Sequence, residues 1–126
     1  MAETIRELHG VRLLECDSDG PRIDRDRDAV DIIGAAFAAR PDWIVIPVAR
    51  LGPGFLDLKT RLAGEVLQKF VNYDFRVVIL GDVSAAMAAS KALRDFVHET
   101  NRGTQVWFVA SREALAERLR GRAEAG

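Results

Sequence analysis

A chain of 126 residues, 48% apolar and 29% charged, has the composition of one globular domain, 1–126, able to bury roughly two thirds of its unfolded surface. A formal net charge of -1 argues against a domain built to grip phosphate backbones, so nucleic acid is not an expected partner. The single cysteine, Cys16, excludes an intramolecular disulfide and a cysteine-rich metal site, and fits a reducing compartment.

The amino-terminal MAETIRELHG lacks the apolar core of a signal peptide, and the longest apolar run, 43–49, falls far short of the roughly 20 residues that cross a bilayer. The expectation is a soluble cytoplasmic protein with no membrane partner. Residues 4–8 and 11–16 read as two short strands joined by His9-Gly10, a two-residue connection that suits a tight hairpin. His9 is then a turn residue. With His98 on a helix and one cysteine elsewhere, no nucleophilic dyad is in view. The run 17–28, DSDGPRIDRDRD, is dense in carboxylates. Counted from Asp17, though, a calcium loop would need an oxygen ligand and a glycine where Pro21 and Arg22 stand. A turn at Asp19, Gly20 and Pro21 fits better, followed by an acidic first helical turn at Asp26 and Asp28 that favours the helix dipole. That helix is expected over 27–39, with Val30, Ile33, Ala36 and Phe37 as its buried stripe and Pro41 as its stop.

Residues 43–48 form a second buried strand, in which Pro47 donates no ladder hydrogen bond and so marks its end, an edge or a bulge. After the turn RLGPG comes the centre of the chain, 55–82, FLDLKTRLAGEVLQKFVNYDFRVVILGD, an amphipathic helix running into a strand at 75–80. Phased at a hundred degrees per residue, Phe55, Leu58, Leu62, Ala63, Val66, Leu67 and Phe70 share one arc. Asp57, Arg61, Gln68 and Asn72 lie opposite. Lys59 breaks the pattern, since its angle falls inside the apolar arc, where the simplest account is a side chain snorkelling past the sheet end. Gly81 and Asp82 turn the chain, and Ser84 is placed to cap a helix over 85–100 that buries Ala89, Leu93, Phe96 and Val97. Asn101, Arg102 and Gly103 end it, with Gly103 expected in the left-handed region. A strand over 105–110 follows. Ser111 caps a short last helix carrying Leu115 and Leu119, and 121–126 is expected to fray.

The segments LKT, LAGE, LQKFVNY and NRG, with SKALRDF, are distinctive, and from about Ile5 to Leu119 the chain resembles the bacterial domain-of-unknown-function 4180 (DUF4180) family. The resemblance implies a small bacterial cytoplasmic domain and brings no chemistry with it. The expected order is β-β-α-β-α-β-α-β-α: an α/β fold with a mostly parallel sheet, right-handed crossovers and an antiparallel amino-terminal hairpin. In order alone it resembles the STAS domain of anti-sigma factor antagonists. Those antagonists carry a phosphorylatable hydroxyl in the turn opening the helix after the central strand. The matching turn here, 50–55, holds none, and Thr60 comes a turn and a half too late.

Sites of parallel sheets gather at the carboxyl ends of the strands, which here would converge Arg50, Asp57, Lys59, Asp82, Ser84 and Ser111, with Thr60 and Arg61 in the same loop. Asp57 and Asp82 could hold Mg²⁺, or Arg50 and Lys59 an anion. Equally, Asp57 can serve a helix dipole, Ser84 and Ser111 can be caps, and Asp82 can turn the chain. These eight are the ligand or partner candidates; no catalytic set, metal or cofactor is assigned. The reading is a regulatory or protein-interaction module with a protein partner, and a homodimer through an exposed strand edge is a further expectation. The alternative is a small enzyme or anionic-metabolite-binding domain using the carboxyl edge.

Overall fold

The computed structural model describes residues 3–125, with side chains through Gly121. Strands β1 (Glu3–Leu8) and β2 (Val11–Cys16) pair antiparallel from Glu3 opposite Cys16 to Leu8 opposite Val11. Their turn has positive φ at both central residues, His9 at 52° and Gly10 at 78°, the geometry that matches the twist of a hairpin. β3 (Trp43–Pro47), β4 (Val77–Leu80) and β5 (Val106–Val109) add to β2 in parallel, giving the sheet order β1-β2-β3-β4-β5. Pro47 closes its strand, as expected. The hairpin's second strand thus serves as the first of four parallel strands.

The helices are α1 (Val30–Ala39), α2 (Leu62–Asn72), α3 (Ser84–Ala89), α4 (Lys91–Arg102) and α5 (Arg112–Ala125). Because sheet order follows chain order, crossovers of one hand carry α1 to α4 onto one face. There Ile44, Ile46, Val77 and Ile79 pack with Ile33, Val66, Phe70 and Leu93. The alternate residues Trp43, Val45, Val78 and Trp107 face the other way and pack with Leu115 and Leu119 of α5. Burial on both faces is why the strands read as unbroken apolar runs.

Several details depart from the sequence reading. A 3-10 turn, Asp26–Ala29, precedes α1, and the helix buries Ala29, Ile32, Ile33 and Ala36, leaving Val30 52% and Phe37 50% exposed. That stripe is also spaced i, i+3, i+4, i+7, and two alanines on it permit closer approach to the sheet. The stretch 55–61 is not one helix with α2. Phe55 is fully buried in a turn, Leu58–Thr60 is a 3-10 turn, and Arg61 takes φ 63° before α2 starts at Leu62. The Thr60 hydroxyl donates toward the carbonyls of Gly54 (2.7 Å) and Asp57 (2.8 Å), a local bonding pattern that competes with helix. Lys59 therefore never enters the apolar arc, and its side chain is exposed.

The expected helix over 85–100 is broken at Ser90, whose extended backbone (φ -141°, ψ 111°) lets its hydroxyl accept the Leu93 N–H at 3.1 Å and cap α4. Ala89 is left exposed while Leu93 and Val97 are buried. Gly103 has φ -90°, not a left-handed value. The end of α4 is instead tied to the sheet by Asn101, whose side chain accepts the Phe108 N–H (2.7 Å) and donates to the Phe108 carbonyl (3.2 Å). Those are outward groups of edge strand β5, so Asn101 takes the place of another strand there. Ser111 does cap α5, accepting the Ala114 N–H at 3.1 Å. That helix runs to Ala125, through the stretch expected to fray; Gly126 lies outside the described residues.

Candidate functional site

At the carboxyl ends of the strands the sequence candidates are placed one by one by local bonds. Arg50 is 3% exposed; its Nε donates to the Pro21 carbonyl at 2.5 Å and its guanidinium to the Asp17 carbonyl at 3.0 Å. It thereby holds the 17–21 turn over the sheet end. The same junction is closed by the Ile23 N–H donating to the Arg50 carbonyl (2.7 Å) and the Gly52 N–H to the Ile23 carbonyl (3.0 Å). Asp57 accepts the Lys59 N–H at 3.1 Å and caps its 3-10 turn, Thr60 bonds inside the loop, and Arg61 and Lys59 point to solvent. Asp82 accepts the Ser84 N–H at 2.8 Å, and Ser84 is not the expected cap but the first residue of α3, with Val83 at the N-cap position. The Ser84 hydroxyl and N–H together hold the Asp82 carboxyl below the usual carboxylate range. Asp57, Lys59 and Thr60 thus share one turn, Asp82 and Ser84 another, while Arg50 and Ser111 stand apart. Lys59 forms no ion pair, and no cluster of metal-ligating side chains occurs, among the described residues.

A different cluster lies on the α5 face, around a buried charge. Glu15, in β2, is 6% exposed. Its Oε1 accepts from Arg112 at the start of α5, and its Oε2 lies 2.8 Å from Arg6 Nε in β1. The Arg6 N–H does not point along that line, so Oε2 accepts no hydrogen bond among the described residues although it touches a cation. The arginine side chains are 59% and 63% exposed, so only the carboxylate has lost its water. Hydrogen bonding to Glu15 raises the Arg112 pKa, keeping that guanidinium charged. Arg6, Glu15 and Arg112 line two pockets, one of about 340 Å³ reaching Ser18 and Pro47 at the carboxyl edge, the other of about 400 Å³ reaching Leu8, Leu13 and Leu115.

The sequence did hold a signal for this site. Alternation along VRLLEC puts Glu15 on the same face as Val11 and Leu13, so one charge occupies an apolar row. Read only as the second strand of a tight hairpin, β2 hid that conflict. Cys16 beside it is buried, and that burial pushes its thiol up to about 12 against the smaller opposing effect of the Arg50 charge, so it is no nucleophile at neutral pH.

A second surface feature sits where α1 and α2 end. Phe37 packs edge-to-face on Tyr73 (5.4 Å between centroids) and on Phe75 (5.2 Å), yet Phe37 and Tyr73 remain 50% and 52% exposed. Beneath α5, by contrast, Trp43 and Trp107 stack at 4.1 Å, and Arg118 lies 3.8 Å from the Trp107 ring.

No described helix is long and apolar enough to cross a membrane. No curated protein and no solved structure matches the chain. The model of the family described as Domain of unknown function (DUF4180) matches residues 8–119, from the hairpin turn through the last buried leucine of α5. Covering both faces of the sheet and the Glu15 cluster's two anchors in β2 and α5, that match means the chain belongs to the DUF4180 family.

Proposed function

We propose that the protein is a regulatory or protein-interaction module of the bacterial cytoplasm, STAS-like in architecture but without the phosphorylatable hydroxyl in the turn after the central strand. The observation that carries this reading is the Phe37–Tyr73–Phe75 cluster. Large aromatic side chains are costly to leave half in water and are the residues that anchor protein interfaces. Here their mutual packing fixes the surface before any partner arrives. In sequence the cluster is flanked by the exposed Arg40 and Asp74, which supply a polar rim for such an interface, whereas Arg76 turns to the other face, over Trp43. The partner is accordingly another protein that brings apolar side chains to this patch. The exposed loop with Asp57, Lys59, Thr60 and Arg61 offers it polar contacts on the far end of α2. A homodimer through the open edge of β1 is compatible with this, because β1 pairs on one side only.

The test is site-directed crosslinking in the native cell, with a photoreactive phenylalanine analogue at Tyr73 and, as control, at exposed Arg120. A defined protein adduct from position 73, absent from position 120 and lost when Phe37→Ser is added to a still-folded chain, is expected. Adducts of equal pattern at both positions, or an adduct indifferent to Phe37→Ser, would remove the reading. An adduct formed only between copies would replace the partner by a second copy.

A further inference from the structure

The geometry points to the Arg6–Glu15–Arg112 cleft between β1 and α5 as a binding site for a small zwitterion, specifically an α-amino acid with an apolar side chain. Three observations select that class. First, Glu15 Oε2 is buried and accepts no hydrogen bond among the described residues, so whatever sits against it must donate. Second, Arg112 spends one nitrogen on Glu15 and Arg6 spends its Nε on a charge contact, leaving guanidinium donors directed at no described residue. Those donors match a carboxylate, which arginine grips through paired N–H groups. Third, one of the pockets these charges line also has Leu8, Leu13 and Leu115 in its wall, with Glu7 as a further acidic group, so apolar surface stands next to the charges.

Single-charge ligands fit worse. A plain anion would meet the Glu15 carboxylate, and a plain cation would meet two guanidinium groups. An α-amino acid places an ammonium and a carboxylate on one carbon, so both can be met within one cluster while the side chain lies against that apolar surface. The volumes of about 340 and 400 Å³ lie within the ~300–1,000 Å³ common for small-molecule sites. A bound ligand would bridge β1, β2 and α5, and so would report its presence through the only helix on that face among the described residues.

L-leucine is the probe, measured by calorimetry and by thermal melting of the intact chain, against 4-methylpentanoate, which lacks the ammonium, 3-methylbutylamine, which lacks the carboxylate, and inorganic phosphate. Saturable leucine binding, weakened about tenfold or more for both half-ligands and in Arg6→Gln, is the expected result. Arg6 is exposed, so that variant keeps the test open even where Glu15→Gln fails to fold. Equal binding of phosphate or 4-methylpentanoate would overturn the zwitterion assignment in favour of a bare anion site. No binding by any of the four would overturn the site itself and leave the cluster as a strut between β1 and α5.

Discussion

Removing one partner at a time from the Glu15 cluster should give strongly unequal costs. Replacing Arg112 by Gln takes away the charged donor on Oε1 and leaves a carboxylate whose side chain is 8% exposed with only the misaligned Arg6 for company. A buried charge that loses its partner costs about 1–3 kcal/mol, and up to ~5 in the least relaxed cases. Replacing Glu15 by Leu does something different. The arginines, 59% and 63% exposed, return to water, while the leucine joins Leu13 and Val45 in an apolar row. The change should fall within about 1 kcal/mol of neutral, on either side. In the double variant the Arg112 substitution should then cost almost nothing, because the charge it served is gone. Urea unfolding of the four proteins, read by circular dichroism and tryptophan fluorescence, supplies the cycle. If Glu15→Leu proved the more damaging single change, the reasoning would fail: the carboxylate would be a net source of stability, its ion pairs outweighing the water it has lost.

Alkaline stability should depend on Cys16. Its folded pKa of about 12 stands above the ordinary 9.0, so stability present below pH 9.0 is lost as pH rises toward 12, on the order of 4 kcal/mol in all. Cys16→Val should flatten that alkaline loss, and the native thiol should resist thiol reagents at pH 8. Lys59→Met should shift stability by no more than about 0.5 kcal/mol, since the side chain is exposed and unpaired among the described residues; a larger loss in a urea melt would mean a buried partner. Asn101→Ala should cost about 1–3 kcal/mol by removing both bonds to Phe108, and should raise self-association at the freed β5 edge, visible by light scattering.

Strands β3, β4 and β5 were legible because each is buried on both faces, and unbroken apolar runs such as WIVI and VVIL leave no second interpretation. The helices were less so, because periodicity marks a helical face without saying where the helix starts. Residues 55–61 continue the period of α2, yet a threonine bonded to two carbonyls and a left-handed Arg61 interrupt the backbone. At α1 two stripes were available, and contact with the sheet chose the one with smaller side chains. Ser90 looks like a mid-helix residue until its capping bond is visible. The candidate site follows the same logic. Caps such as Ser111 can be read from local spacing, whereas Glu15 depends on Arg112, 97 positions away, and no local pattern conveys that distance.

The distribution of helices also sets an order of events during synthesis. Four helices leave the ribosome between the strands they cover, so that face of the sheet can close progressively. The face bearing Trp43 and Trp107 has to wait for α5, which follows every strand. Until then a nascent chain carries a ready sheet with an uncovered tryptophan-rich surface, the kind of surface that holdase chaperones bind. A stalled or prematurely ended translation product lacking α5 would keep that surface permanently, and quality-control proteases would meet it as a nearly finished domain that cannot hide its indoles.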